Sequence, residues 1–247
     1  MISIGITTFP RRFETFKKLV NEIRSKTDSE IIVQVNQFNK ISDDIYRKEV
    51  LSFCSSINNV YVTIYPTFTS LSKMWNTIVI NSSNDNILVL NDDVSISNSN
   101  FIEDVIKIKD SYNGLCVINN SWAHYLISKS LLDDLNYFDE RLLAYGEEDG
   151  DMVWRYIDKF KTYPNVSYIS GIHNHGEGYG IIPPNLKWFD AGNVIRPLFN
   201  RDFCFNKKYS PNINGHKGMF DTNRINVLSN EKQYPYESFK LNNKHNI

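Results

Sequence analysis

The sequence predicts an α/β protein built on a Rossmann-like, mostly parallel, doubly wound sheet. Three observations carry that expectation. Short apolar runs of strand character recur along the first two thirds of the 247 residues, and the segments between them repeat apolar residues at helical steps. Polar, turn-forming residues then close two of the strands, at Thr7-Thr8-Phe9-Pro10 and at Asn91-Asp92-Asp93. In such sheets ligands sit outside the carboxyl ends of the strands, which is where both turns fall.

Taken in order, Ile2, Ile4 and Ile6 alternate as one face of a strand, and Pro10 ends it. Phe13, Phe16, Val20 and Ile23 recur at three- and four-residue steps, which predicts a helix. The unit repeats with a strand over 31–35, a helix over 43–54 and a strand over 60–65. Leu71, Met74, Trp75, Ile78 and Val79 form the next helical face and lead into a strand over 87–90. Phe101, Ile102, Val105 and Ile106 mark another helix, followed by strands over 115–118, 123–127 and 166–170. After Pro183-Pro184 the periodicity dissolves into Asn, aromatic and basic residues. The expected organisation is therefore a domain over 1–185 and an irregular C-terminal extension over 186–247.

A hydrophobic fraction of 41% with 14 Tyr and 15 Phe is enough for a packed core. No apolar run is long enough to span a membrane, and the first residues lack the plan of a signal peptide, so a cytoplasmic protein is expected. Three cysteines, Cys54, Cys116 and Cys204, have no paired spacing, which argues against a disulfide framework or a zinc site. The net charge of −1 hides an asymmetry. From Leu186 onward there are 10 Lys and Arg against 5 Asp and Glu, leaving 17 against 23 before it. The extension is basic, whether as solvated surface or as a binding face.

Two carboxylate clusters stand out. Asp92 and Asp93 follow the run Ile87-Leu88-Val89-Leu90, and adjacent acids at a strand end can hold a hard divalent cation while leaving positions for phosphate oxygens. By themselves they are equally a polar turn. The second cluster is Gly146-Glu147-Glu148-Asp149-Gly150-Asp151, at the head of a helical pattern. Met152, Val153, Tyr156, Ile157 and Phe160 lie three, four, seven, eight and eleven positions after Asp149, so the phasing turns Asp149 inward. Glu147, Glu148 and Asp151 are accounted for as partners of the helix dipole. An inward carboxylate at a cleft is a candidate general base. His173 and His175 precede glycines at 176, 178 and 180, and one of them across a cleft from Asp93 would complete a metal shell.

Four segments in this order resemble the GT-A nucleotide-sugar glycosyltransferases, in particular the inverting family 2 type, over roughly residues 1 to 180. They are Ile2-Ser-Ile-Gly-Ile-Thr-Thr-Phe-Pro-Arg-Arg, Leu88-Val-Leu-Asn-Asp-Asp-Val, Tyr137-Phe-Asp-Glu-Arg-Leu and Gly146-Glu-Glu-Asp-Gly-Asp-Met-Val-Trp-Arg. The resemblance implies a GT-A fold and a nucleotide-diphosphate-sugar donor, with a UDP-sugar first in line. It implies Thr8, Phe9, Arg11, Asn36 and Asp92 around the nucleotide, and Trp122 near donor sugar and acceptor. It further implies Asp93 on Mn²⁺ or Mg²⁺ with His175, in preference to His173, and Asp149 as catalytic base beside Glu148. The chain departs from the family at Asn36-Gln37, where an Asp that reads the base is common, and at Gly150, where a larger residue is usual. It lacks the Gln-x-x-Arg-Trp signature of processive synthases, which favours transfer of a single sugar.

The acceptor expected within that family is a hydroxyl of a glycan. The extension interleaves Trp188, Phe189, Phe199, Phe203, Phe205 and Tyr209 with Arg196, Arg201, Lys207 and Lys208, and the composition points to an AT-rich genome. A phage-type DNA glycosyltransferase acting on a hydroxymethylated base in a host cytoplasm is thus a second expectation. A homo-oligomer formed through the extension is a third use for it. A nucleotidyltransferase could employ the same acids, but no glycine-rich phosphate loop with a lysine follows the first strand. A non-catalytic carbohydrate-binding relative would keep the fold without turnover.

Overall fold

A computed structural model describes residues 1–10, 12–37, 42–142, 145–175, 200–201 and 203–204. Its chain divides into two compact units, Met1–Thr69 with Met74–Leu132 and Pro164–Pro183, and Ser70–Lys73 with Asp133–Tyr163 and Pro184–Ile247.

In the first unit, strands β1 (Ser3–Thr8), β2 (Ile31–Val35), β3 (Val60–Ile64) and β4 (Asn86–Asn91) alternate with helices α1 (Phe13–Arg24), α2 (Ser42–Ser55) and α3 (Leu71–Asn81). The chain continues through β5 (Val94–Ile96), α4 (Phe101–Ile108), β6 (Leu115–Ile118), β7 (His124–Ser128) and α5 (Lys129–Leu135). The seven-stranded sheet runs β3-β2-β1-β4-β7-β6-β8, where β8 is Asn165–Ser167. Neighbours from β3 to β4 are parallel, β7 is antiparallel to both β4 and β6, and β8 is parallel to β6.

The expected strands are recovered for a physical reason. β1 and β2 are buried along their whole length, which only continuous apolar or internally satisfied sequence allows. Helix α1 turns Phe16, Leu19, Val20 and Ile23 into the same buried cluster as Ile4, Ile6 and Val33. Each such side chain contributes about 1.5–3 kcal/mol relative to exposure. Gly5 lies beneath α3, and a Cβ there would run into the side chain of Ile78.

The strand order places the site. Successive crossovers carry the chain from β1 outward to β2 and β3, and the next one returns it to the other side of β1 as β4. The order reverses between β1 and β4, so their adjacent carboxyl ends form the crevice where this architecture binds ligands. Thr7 pairs with Asn91 in the register, which sets Thr8 beside Asp92 and Asp93.

Two local expectations need correction. The last strand of the sheet stops at Ser167 rather than continuing to 170, because Asn119 takes over beyond it. The Asn119 backbone N–H donates to Ser167 O at 2.8 Å, and its side chain bonds both Ile169 O and Ile169 N, each at 2.8 Å. His173 lies within a further strand, β9 (Ile172–Asn174), which pairs antiparallel with β5 in a separate two-stranded sheet. Gly171 opens β9 at φ +72°, and its carbonyl accepts Ser97 N at 2.7 Å; a Cβ would strike Asn98.

In the second unit, helix α6 (Glu148–Phe160) buries Met152, Val153, Trp154 and Tyr156, and Phe138, Leu142, Phe203 and Cys204 are also buried. The remainder of the predicted extension lies outside the described residues. Among the described residues no helix is long and apolar enough to cross a membrane.

Candidate functional site

At the end of β4 the two aspartates do different things. Asp92 is fully buried and its oxygens are all engaged: Oδ2 accepts the Thr8 hydroxyl at 2.8 Å and the Phe9 N–H at 3.1 Å, and Oδ1 accepts Arg12 Nη1 at 2.6 Å. It therefore fixes the loop between β1 and α1. Tyr46 of α2 adds a hydrogen bond to the Thr8 hydroxyl. Burial raises the Asp92 carboxyl against the opposing pull of Arg12. Burial works against the Arg12 charge, yet Asp92 and Asp93 hold the guanidinium above its ordinary value. Burial and the Asp92 charge push the Tyr46 phenol well above its usual range.

Asp93 has a different environment. Its Oδ2 lies 3.7 Å from Arg12 Nη1, while Oδ1 is buried with no hydrogen-bond partner. A buried carboxylate oxygen without a donor costs free energy unless something else meets it. The pairing of β5 with β9 brings His175 alongside, its N–H donating to Asp93 O at 3.0 Å, and the exposed imidazole Nε2 lies 2.6 Å from Ser95 Oγ. His173 is exposed and pairs in register with Ser95, one step further from Asp93. Among the described residues no group of three or more acidic, His or Cys side chains is poised to hold a metal. The unmet Asp93 Oδ1 is nevertheless the kind of carboxylate oxygen that a hard cation takes, its other positions going to water and phosphate.

The remaining residues named from sequence divide between unit interiors and surfaces. Asn36 is fully buried at the end of β2, where Nδ2 donates to Thr69 O at 2.7 Å and Oδ1 accepts Thr69 N at 2.9 Å. It ties the segment before α3 to the sheet. Trp122 is half-buried, its ring 5.0 Å from that of Tyr125, which in turn meets Trp75 edge-on at 5.3 Å. Arg11 lies outside the described residues, as do the glycines at 176, 178 and 180.

In the second unit the acidic knot opens α6, with Glu147 in the left-handed region at φ +73° and its carbonyl accepting Asp151 N at 2.8 Å. The phasing turns Asp149 inward and leaves open which way its acidic neighbours face. Glu148 and Asp151 are 5% and 0% exposed, deeper than Asp149, which keeps partial access. Asp151 is neutralised by Arg155 Nε at 3.0 Å and Nη2 at 2.7 Å, and Arg155 also donates to the carbonyls of Leu135 and Tyr137. A paired acid can share a buried face, so counting apolar residues alone misplaced that face's centre. Burial, reinforced by the Asp149 charge, pushes the Glu148 carboxyl up to about 8. Burial also raises Asp149, whose Oδ1 accepts the Gly150 N–H at 2.8 Å. Asp139 and Arg141 form a second buried pair at 2.8 Å, with the Arg141 guanidinium 5.0 Å over the Phe203 ring.

Sequence reasoning missed Arg12, Tyr46 and Arg155. Arg12 stands beside Arg11 with nothing local to distinguish the two, and Tyr46 reads as one of many aromatics in an amphipathic helix. Arg155 carried a usable signal, its position four residues after Asp151.

No family model matches the sequence, and no curated protein is similar to it. Solved structures do match. The crystal structure of S. aureus TarS 1–349 shares 16% identity, covering 83% of this chain and 72% of that one, with a TM-score of 0.52. The mannosyltransferase PcManGT from Pyrobaculum calidifontis, in complex with GDP-Man and Mn²⁺, shares 10% identity over 80% of this chain and 63% of that one, with a TM-score of 0.54. Together with a mostly parallel sheet whose order reverses between β1 and β4, these likenesses show that the chain has the GT-A glycosyltransferase fold.

Proposed function

We propose that this protein is a metal-dependent, inverting glycosyltransferase that moves one sugar from a nucleotide-diphosphate sugar, a UDP-sugar first in line, to a hydroxyl of a glycan acceptor. The observation that carries the reading is Asp93: a carboxylate oxygen, buried and without a partner, at the switch point of a GT-A sheet, in a residue whose backbone carbonyl accepts the His175 N–H. Asp93 and His175 would hold Mn²⁺ or Mg²⁺, which supplies Lewis-acid stabilisation of the leaving diphosphate. Thr8, Phe9 and Arg12, set by Asp92, form the loop that receives the nucleotide, with Arg11 and Trp122 assigned to nucleotide and sugar from sequence. Asn36 supports this pocket by fixing the segment that ends at Thr69.

Asp149 accepts the proton of the acceptor hydroxyl as that oxygen attacks the anomeric carbon from the face opposite the diphosphate, which inverts the centre. Glu148 shapes that role. Two adjacent carboxyls in a buried turn resist double ionisation, so Glu148 retains a proton while Asp149 ionises. Three free, buried cysteines support a cytoplasmic setting.

A panel of nucleotide sugars that includes UDP-glucose, UDP-GlcNAc and GDP-mannose, each with and without Mn²⁺, tests the reading through release of free nucleoside diphosphate. Release should require the metal and favour one donor; no release from any donor, or release indifferent to chelation, rejects it. The basic, aromatic composition from Leu186 onward favours DNA carrying a hydroxymethylated base as the second acceptor. Binding to such DNA that weakens steeply with salt would support that acceptor, and its absence would leave the glycan.

A further inference from the structure

We infer that Arg12 lowers the affinity of the acidic pair for a free divalent cation, so that the cation enters together with a diphosphate rather than ahead of it. The inference rests on the metal role proposed for Asp93. One guanidinium nitrogen reaches both acids, at 2.6 Å from Asp92 Oδ1 and 3.7 Å from Asp93 Oδ2. A cation on Asp93 Oδ1 would therefore share a carboxylate with a fixed positive charge. That charge cannot withdraw by a backbone shift, because Arg12 caps α1 and its carbonyl accepts Phe16 N and Thr15 Oγ1, each at 2.9 Å.

Magnitudes favour an appreciable effect. The Arg12 side chain is 19% exposed and that of Asp93 9%, so solvent and salt screen the repulsion far less than at an open surface. Formal charges point the same way. Asp92 and Asp93 carry two negative charges and Arg12 one positive, leaving a single net negative charge to meet a doubly charged ion. A diphosphate brings the missing negative charge and gives the guanidinium a second anion. Cation and nucleotide then raise each other's affinity by the same factor, as linkage requires.

The test measures free Mn²⁺ by electron paramagnetic resonance in titrations of the full chain, alone and with saturating UDP or GDP. Wild type should bind Mn²⁺ weakly alone and more tightly with one nucleotide. Arg12→Gln should bind Mn²⁺ alone roughly fivefold or more tighter than wild type, with the nucleotide-induced gain reduced. Arg12→Lys, which keeps the charge, should retain most of the wild-type coupling. Replacement of Arg12 by citrulline, neutral but able to keep the hydrogen bond to Asp92, should behave as Arg12→Gln does and covers the case in which Gln disturbs folding. Nucleotide-coupled Mn²⁺ binding in wild type that both neutral variants leave unchanged overturns the inference and spares the metal site. Absence of Mn²⁺ binding to wild type, with or without either nucleotide, overturns the metal reading and the inference with it.

Discussion

Asp149 and Glu148 are neighbours in sequence with unequal surroundings, and their proposed division of labour follows from that inequality. Asp149→Asn removes the proton acceptor while leaving the β1–α1 loop untouched. Transfer should fall by at least about 10²-fold, as loss of a general base does, while nucleotide binding by calorimetry persists. Near-normal turnover would take Asp149 out of the mechanism. Glu148 gives a stability prediction with a definite sign. Its carboxyl, lifted from 4.5 to about 8, binds a proton more tightly folded than unfolded. Its favourable contribution is therefore complete below about pH 4.5 and is lost as pH rises through 8. Glu148→Gln should shrink the drop in Tm between pH 5 and pH 8, and an unchanged drop would show that this carboxyl is not the group responsible. The acids themselves were legible as motif letters. Which of them is buried was not, because Arg155, four residues from Asp151, changes what a carboxylate costs to bury.

At the level of elements, α6 is braced from within its own unit. Arg155 joins Asp151 to the carbonyls of Leu135 and Tyr137, which precede α6 within the same unit. Arg155→Met should cost about 3–5 kcal/mol in urea denaturation, because it removes the guanidinium that neutralises a fully buried Asp151. Adding Asp151→Asn to that variant should recover part of the loss; if it does not, the pair is not what stabilises the turn. The β5–β9 pairing shows where reading by element runs out. Three residues on each side are too short to announce themselves by alternation, and their partners lie 76 to 80 positions apart, Val94 with Asn174 and Ile96 with Ile172. Yet this ribbon is what sets His175 beside Asp93.

For the whole molecule, the order of strands decides more than their identity. Gly5 permits α3 to lie close on β1, so Gly5→Ala should destabilise the fold by about 1–3 kcal/mol through overpacking against Ile78, measurable as a lowered Tm. No change would mean that Ile78 repacks freely. The sequence by itself determined the α/β alternation, the turns at Thr8 and at Asp92-Asp93, and the four segments that resemble GT-A enzymes. Those are local properties: side-chain periodicity and turn chemistry act over a few residues. Only the tertiary structure decided that Asp92 is spent on Thr8, Phe9 and Arg12, that Asp93 retains an unmet oxygen, and that Asn36 is taken up by Thr69. Each of these depends on which distant donor reaches a buried acceptor, and partners separated by 33 to 84 residues leave no periodic trace in the chain.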